Sequence, residues 1–275
     1  MRDFNLRELQ LSELDILKEV DRICKKHNIK YYLSWGTALG AIRHQGFIPW
    51  DDDIDISMLP EDYLKFKEVC KTDMKEPYFY QDWDTDPHYH CSWAKIRNSN
   101  TTSMMADMKD YPIHWGVCID IFPLFYMPEN LAGKFTSFCV KLMNITTAKP
   151  LDNYGYGYDS YVKYTKMLPN IFCNKMKRMC FKKLMSGKDS YPYVLTEVAP
   201  QRIEPSCNYG ETVLVKFEDG MFPINKDYHE SLTFCYGDYM KIPEEHERID
   251  HGNIIVDLEN SYTMYIESRE GRTAK

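Results

Sequence analysis

Two aspartates placed two residues apart are the part of this sequence best suited to chemistry. Asp53 and Asp55 lie in the segment Asp-Ile-Asp-Ile-Ser-Met, whose strict alternation of polar and apolar residues predicts a β-strand. Alternate side chains of a strand share a face, so both carboxylates point one way, while Ile54, Ile56 and Met58 point into the core. At a rise of about 3.3 Å per residue, the two aspartates are about 6.6 Å apart.

Carboxylates at this separation can share divalent cations, which lie about 3.5–4 Å apart in two-metal sites. Without a cation the like charges repel, and one carboxylate tends to keep its proton. The alternative is a solvated turn, which accounts for Asp51 and Asp52 but not for the alternating isoleucines. The chain has no EF-hand loop with its central Gly and terminal Glu. We therefore predict a Mg²⁺ or Mn²⁺ site that includes Asp53 and Asp55.

A third carboxylate, Asp120, stands alone in the apolar segment Cys-Ile-Asp-Ile-Phe, which predicts a buried strand over 116–125. A buried Asp is costly unless it is paired or coordinates a metal. We predict Asp120 as the third metal ligand; a hydrogen bond to a nearby loop is the alternative.

A glycine turn precedes the acidic segment. Gly36 breaks a predicted strand at 31–35, and Thr37 is the predicted N-cap of a helix over 37–44. The free N–H groups of a helix N-terminus suit a phosphate, although such a turn alone is often only a tight turn. Its position just before the acidic segment would bring phosphate and metal together.

Four basic residues are candidates to neutralise phosphate oxygens. Arg43 and His44 follow the glycine turn on the same predicted helix, and Lys95 and Arg97 alternate on a later predicted strand. Each of them, taken alone, is equally compatible with an ordinary surface charge.

The elements that must position these residues predict an α/β (α+β) fold. Residues 1–125 form the predicted catalytic domain, and residues 126–275 form a helical and irregular part that packs on it and contributes to acceptor binding. The Tyr-rich segment 153–158 is either an acceptor-binding loop or a bland turn. Helices are predicted over 4–27, 60–71, 128–148 and 160–186, and strands over 31–35, 53–58, 78–83, 91–97 and 116–125.

Composition excludes several classes of protein. The chain has 275 residues, 44% of them hydrophobic, and a net charge of −7, which suits a globular protein and disfavours nucleic acid as a partner. Nine cysteines without a CxxC pair predict reduced thiols in the cytoplasm rather than a zinc site or a disulfide framework. No signal peptide or spanning segment is expected, so any membrane contact is predicted to be peripheral, at the inner face.

The stretch from Gly36 to Asp55 resembles the signature of the LicD-type phosphocholine transferases. These are similar to the catalytic domains of fukutin and fukutin-related protein, within the DNA polymerase beta-like nucleotidyltransferase superfamily. The likeness is densest over 31–58 and much weaker over 130–205. It also includes residues 95–97, 101–102, 116–123, 236–240 and Pro243.

The resemblance implies a nucleotidyltransferase fold, in which a small mixed sheet is flanked by helices. It further implies Mg²⁺-dependent transfer of phosphocholine from CDP-choline to a sugar of teichoic acid, lipopolysaccharide or capsule, with release of CMP. The partners expected on this basis are a CDP-alcohol donor and a glycan or glycolipid acceptor.

The resemblance also implies roles for individual residues. Gly36 and Thr37 would face the donor phosphates, and Asp53, Asp55 and Asp120 would hold the metal ions. Asp120 or a bound water would accept the proton of the attacking hydroxyl. We expect Trp50 or another exposed aromatic residue to hold the trimethylammonium group, since aromatic faces attract such cations.

Three other functions stay open at this point. The donor could be CDP-ribitol, CDP-glycerol or another polyol derivative, which needs hydrogen-bonding side chains instead of an aromatic cage. The chain could be a catalytically silent module that binds a glycan or a nucleotide, although all three acidic positions are filled. A transferase of AMP or UMP is allowed by the superfamily and disfavoured by the specific motif.

Overall fold

The computed structural model describes residues 4–147, 168–195, 203–248 and 254–266. The helices of this part are α1 Leu6–His27, α2 Trp35–His44, α3 Pro60–Asp73, α4 Asn130–Thr147, α5 Asn170–Met185 and α6 Tyr228–Tyr236. Its strands are β1 Tyr32–Leu33, β2 Asp55–Met58, β3 Tyr78–Gln81, β4 Ala94–Asn98, β5 Thr102–Met105, β6 Val117–Pro123, β7 Phe125–Met127, β8 Tyr193–Leu195, β9 Ile203–Pro205, β10 Thr212–Phe217, β11 Gly220–Asn225 and β12 Ile254–Asp257.

Helix α1 has clear start and stop signals in the sequence. The Asn5 side chain accepts hydrogen bonds from the backbone N–H groups of Arg7 and Glu8, which satisfies two of the donors that a helix N-terminus leaves open. Asn28 ends the helix in the left-handed conformation that Asn tolerates. The predicted helix over 4–27, with its end at Asn28, is confirmed.

The central sheet has five strands in the order β1-β2-β6-β4-β3. Strands β2 and β6 are parallel, and the other neighbours are antiparallel. One face of the sheet is apolar and fully buried, with Ile56, Ile96, Ile119 and Ile121 at 0–1% exposure. Helices α1 and α3 complete the same buried cluster. The mixed sheet with flanking helices confirms the predicted α/β class.

Smaller sheets surround the central one. Strands β10 and β11 form a hairpin, β12 pairs with β5, and β8 pairs with both β7 and β9. The main apolar core takes residues from both sides of the predicted boundary at 125, among them Ile54, Leu184 and Phe217. The division into 1–125 and 126–275 stays a prediction.

Two predicted boundaries near the site are wrong. Helix α2 begins at Trp35 with Ser34 as its N-cap residue, so Thr37 lies in the first turn and is not the cap. Trp35 adopts a positive φ of 44°, which turns the chain sharply enough to start the helix directly after the two-residue strand β1. Strand β2 begins at Asp55, so Asp53 lies in the connection before it.

Other predictions are only partly testable. The predicted helix over 160–186 corresponds to α5, and its first eight positions lie outside the described residues, as does the Tyr-rich segment 153–158. Among the helices that the structure describes, none is long and apolar enough to cross a membrane.

Candidate active site

Asp55 and Asp120 lie side by side on neighbouring strands. They are register partners in the parallel pairing of β2 with β6, and the Asp120 N–H donates to the Ile54 carbonyl at 2.9 Å. Neighbouring strands are about 4.8 Å apart, and paired residues share a face, so the two carboxylates start from adjacent points on the same side of the sheet. The sheet therefore brings together two of the three predicted acids.

The first turn of helix α2 lies against the start of β2. The Asp55 N–H donates to the Thr37 hydroxyl at 2.8 Å, and the Ser34 N–H donates to the Asp55 carbonyl at 3.0 Å. The Ser34 hydroxyl donates to the Ser57 hydroxyl at 2.7 Å. The predicted phosphate-binding turn is thus fixed to the acidic strand by hydrogen bonds on both sides of Asp55.

Gly36 leaves room for a carboxylate at the N-terminus of α2. A Cβ atom on Gly36 would lie 2.8 Å from the Asp51 Oδ2 atom, closer than real Cβ contacts allow. The negative side chain of Asp51 therefore lies beside the helix end where the backbone dipole favours an anion. The sequence pattern assigned Asp51 to a solvated turn, and its closeness to Gly36 is set by the fold of the intervening chain.

Lys95 and Trp93 both bind the Asp120 carboxylate. The Lys95 Nζ atom forms an ion pair with Asp120 Oδ1, and the Trp93 Nε1–H donates to Asp120 Oδ2 at 2.9 Å. The Lys95 and Asp120 side chains are each 16% exposed. Burial acts to lower the pKa of Lys95, whereas the Asp120 charge, with smaller contributions from Cys118 and Cys91, raises it. The pKa of Lys95 lies above its ordinary value as a result, and the lysine stays charged.

Trp93 was not among the predicted site residues. It stands two positions before Lys95, and residues two apart on a strand point to the same face of a sheet. The predicted strand over 91–97 contains both residues, although the observed β4 begins one residue after Trp93. The alternation of Trp93 with Lys95 was therefore the signal that could have found Trp93.

Asp55 lies in an excess of negative charge. Burial raises the pKa of Asp55 well above its ordinary range, and the charges of Asp53, Asp120 and Asp51 raise it further, while Lys95 acts in the opposite direction. Asp55 therefore lies within electrostatic reach of three other carboxylates. A proton or a cation is needed to balance them, and a hard cation such as Mg²⁺ prefers oxygen ligands of this kind.

Among the described residues, no group of three His, Cys, Asp or Glu side chains is arranged closely enough to hold a metal ion. A divalent cation nevertheless suits this group of carboxylates, because Asp55 is surrounded by more negative than positive charge. Metal binding by Asp53, Asp55 and Asp120 stays a prediction.

Arg97 lies on the same face of the sheet as Lys95 but has a different environment. It is only 2% exposed, its Nη1–H donates to the Gly116 carbonyl at 2.7 Å, and its Nε–H donates to Gln81. The Trp115 ring covers the guanidinium at 5.7 Å. These contacts engage the Arg97 side chain within the protein, and we do not include Arg97 among the residues proposed to bind the donor phosphates.

Arg43 and His44 lie at the end of α2 that is remote from Gly36, about 10 Å along a helix that rises 1.5 Å per residue. The Arg43 Nη1–H donates to the carbonyls of Tyr239 and Lys241, at 2.9 and 3.2 Å. Burial lowers the pKa of His44, and the Arg43 charge lowers it further. Arg43 thus attaches α2 to the C-terminal segment, and the structure does not place either residue beside Asp55.

Trp50 and the aromatic residues near Asp120 have different surroundings. Arg248 lies over the Trp50 ring, with its Cζ atom 4.4 Å from the ring centroid, so a cation already occupies one face of this candidate for holding choline. Beside Asp120, the Phe122 ring packs between Trp35 and Trp93, with centroid distances of 4.4 and 5.1 Å. We call Trp35, Phe122 and Trp93 the aromatic wall.

Comparisons with known proteins identify the family of this chain. A family model described as the nucleotidyltransferase domain of LicD/FKTN/FKRP matches residues 28–138, which include Gly36, Asp55 and Asp120. The lipopolysaccharide cholinephosphotransferase LicD of Haemophilus influenzae is 30% identical over 266 residues, which cover 91% of this chain and 97% of that protein. The chain belongs to the LicD family. The resemblance predicted from the sequence is therefore confirmed.

Two further similar proteins match only a short part of the chain. Uncharacterised proteins of Rickettsia typhi and Rickettsia prowazekii are 46% and 44% identical over 59 residues, 22% of this LicD-family chain and 19% and 22% of their own lengths.

The hydrogen bond from Asp55 to Thr37 can be tested by substitution. Thr37→Val keeps the shape of a side chain that is 3% exposed but leaves the Asp55 N–H without an acceptor, which costs about 1–3 kcal/mol. We expect urea unfolding to show this loss, whereas Thr37→Ser, which keeps the hydroxyl, should lose only about 1 kcal/mol for its missing methyl group. A larger loss for Ser than for Val would contradict the assigned role.

The raised pKa of Asp55 predicts a pH-dependent effect on stability. A carboxyl group whose pKa is raised on folding favours the folded state at low pH, and this contribution is lost as the pH rises through the folded pKa. In metal-free protein, Asp55→Asn should therefore raise the melting temperature more at about pH 8 than at about pH 5. The exposed Asp107→Asn is the control and should change neither value. An equal change in melting temperature at both pH values would show that the charge of Asp55 does not destabilise the folded protein.

Proposed function

We propose that this protein transfers phosphocholine from CDP-choline to a sugar hydroxyl of a cell-surface glycan, with Mg²⁺ and with release of CMP. The observation that carries the proposal is the in-register pair Asp55–Asp120 beside the N-terminus of helix α2. The relative that matches along 91% of the chain is named a lipopolysaccharide cholinephosphotransferase. A lipopolysaccharide is accordingly the first acceptor to consider, ahead of teichoic acid or capsule.

The donor phosphates would lie over the first turn of α2. Free backbone N–H groups and the helix dipole favour an anion there, and Gly36 has no side chain to prevent close approach. The charged Lys95 lies across the sheet, paired with Asp120, and can neutralise a phosphate oxygen without leaving the site. Gly36, Thr37 and Lys95 are therefore the proposed donor-binding residues.

The proposed metal ligands are Asp53, Asp55 and Asp120. A bound Mg²⁺ would supply positive charge that neutralises the phosphoryl oxygens during transfer. Asp51 would have to move from the end of α2 for the donor phosphates to bind, since two anions would otherwise compete for the same helix terminus.

The transfer itself moves one phosphoryl group. The sugar oxygen forms a bond to the choline-bearing phosphorus, and the bond from that phosphorus to the CMP oxygen breaks. Each Asp120 oxygen already accepts one hydrogen bond, from Lys95 or from Trp93, and keeps a second lone pair. Asp120 is therefore the proposed acceptor of the hydroxyl proton, and the two donors fix its orientation.

The aromatic wall supports choline over a polyol as the transferred alcohol. A quaternary ammonium group cannot donate hydrogen bonds and is attracted to aromatic faces, whereas ribitol or glycerol needs polar partners for its hydroxyls. Trp35 and Trp93 are both partly exposed and both contact Phe122. Lys95 Nζ already lies 5.9 Å from the centroid of the Trp93 ring, so Trp35 is the ring proposed to contact the choline. The expectation that Trp50 holds the choline is replaced by this group, because Arg248 covers the Trp50 ring.

The reaction is tested by CMP release from CDP-choline with a lipopolysaccharide acceptor, in the presence of Mg²⁺ or of EDTA. We expect release with Mg²⁺ only, and a loss of about 10²–10⁴-fold in Asp55→Asn and in Asp120→Asn. Asp107→Asn, at an exposed position that is not among the predicted site residues, should keep the wild-type rate. Near-normal activity in either site variant would remove the metal assignment, and activity with CDP-ribitol or CDP-glycerol alone would change the donor.

The aromatic wall is tested with a pair of tryptophan substitutions. Loss of a cation–π contact worth about 0.5–2 kcal/mol should raise the KM for CDP-choline by about 2- to 30-fold in Trp35→Leu. Trp50→Leu should leave that KM unchanged because Arg248 already covers its ring. Circular dichroism serves to verify that both variants fold. A raised KM in Trp50→Leu together with an unchanged KM in Trp35→Leu would show that Trp50, and not the aromatic wall, binds the choline.

A further inference from the structure

Helices α4 and α5 pack against each other and concentrate positive charge. Their sequences contain seven basic residues and no Asp or Glu, in a chain whose net charge is −7. Two of the seven bind within the protein: Lys177 lies over the Trp83 ring, and Arg178 pairs with Asp84. The other five are Lys134, Lys141, Lys175, Lys182 and Lys183, all of them exposed.

The same two helices expose large apolar side chains. On α4, Leu131, Phe135 and Phe138 are 79%, 53% and 58% exposed. Their spacing of four and three residues puts them on one face of the helix. On α5, Ile171 is 84% exposed and Met179 is 57% exposed. We call Leu131, Phe135 and Phe138 the apolar stripe.

The apolar stripe is not the packing face of α4. That face is formed by Cys139, Val140 and Met143, which are 0–5% exposed and belong to the main core, as do Cys180 and Leu184 of α5. Both helices are therefore held to the protein by their buried sides. Burial in the core does not explain why three large apolar residues follow the outer side of α4.

A cavity of about 600 Å³ opens beside the apolar stripe. Lys134 and Lys141, about one turn before and about one turn after Phe138, line it together with Tyr193. Glu129 also lines it, so the cavity holds two positive charges and one negative charge. Its volume admits a phosphate-bearing headgroup, and its lysines favour an anionic one.

We propose that the outer side of the α4–α5 pair docks on an anionic lipid bilayer, with the apolar stripe inserted at the level of the headgroups. Apolar residues flanked by lysines are the pattern of helices that lie in a membrane interface. Basic residues gain most near an anionic surface, which would otherwise repel a protein of this net charge. The charge of the two helices thus identifies the occupant as an anionic surface rather than a neutral apolar partner.

This proposal concerns binding alone and stands whether or not the transfer reaction is the one proposed above. If both hold, docking would retain the enzyme at the surface that carries a glycolipid acceptor. Helix α5 also contacts the segment that leads into β4, since Lys177 Nζ donates to the His90 carbonyl, three residues before Trp93.

The test is co-sedimentation of the full chain with vesicles of phosphatidylglycerol and phosphatidylethanolamine, compared with vesicles of phosphatidylcholine alone. We expect binding to the anionic vesicles and at least ten-fold weaker binding to the neutral ones. Phe135→Ser/Phe138→Ser and, separately, Lys134→Glu/Lys141→Glu should each weaken anionic binding at least ten-fold. The matched controls, Leu214→Ser/Met221→Ser and Lys109→Glu/Lys216→Glu, change exposed residues elsewhere and should bind like the wild type.

Other outcomes overturn the proposal. Equal binding by the wild type, the phenylalanine variant and the lysine variant would place the lipid contact elsewhere, and absence of wild-type binding would exclude it. Gel filtration of the same proteins distinguishes a second possibility: a dimer that Phe135→Ser/Phe138→Ser converts to a monomer, without vesicle binding, would make the apolar stripe an interface between two copies. Thermal melts and CMP release with a water-soluble acceptor verify that each variant is folded.

Discussion

The site depends on the parallel pairing of β2 with β6, which sets Asp55 opposite Asp120. A shift of one residue in this register would turn one carboxylate to the apolar face of the sheet, where Ile56 and Ile121 are fully buried. The apolar face therefore fixes the polar one. Lys95 reaches Asp120 from β4 by the same rule, because it is the register partner of Asp120 on the other side of β6.

Electrostatic repulsion within the site is balanced unevenly. Asp120 has a charged lysine and an indole N–H as partners, whereas Asp55 lies among further carboxylates and has a raised pKa. Natural proteins retain such an arrangement where binding of a cation or a substrate relieves it, because the stability lost in the free protein becomes binding free energy. The hydrogen bonds from the backbone of Asp55 to α2 limit how far the acid can move away from its neighbours.

The sequence placed two of the three predicted acids, Asp55 and Asp120, on the strands where the structure has them, but it placed Asp53 wrongly on β2 and missed most of the partners. Alternation with isoleucine predicted the face of Asp55, and isolation in an apolar strand predicted the burial of Asp120, because both patterns are local. The contacts of Arg97 with Gln81 and Gly116, and of Trp50 with Arg248, join residues that are distant along the chain, so no local pattern could reveal that these side chains are engaged. The prediction of Thr37 as the N-cap was wrong for a different reason. The helix begins at Trp35, two residues before the predicted start, because Trp35 adopts a positive φ that is uncommon for a residue other than glycine.

That turn has a consequence for how the protein can change by mutation. A tryptophan in the left-handed region costs about 1–2 kcal/mol, which a glycine would recover. Glycine would also remove one side of the aromatic wall, so the substitution that most relaxes the backbone also removes a ring from the site. Stability alone would favour glycine at position 35, whereas the proposed contact of the Trp35 ring with a choline donor requires the aromatic side chain. At this position the backbone and the proposed function favour different residues.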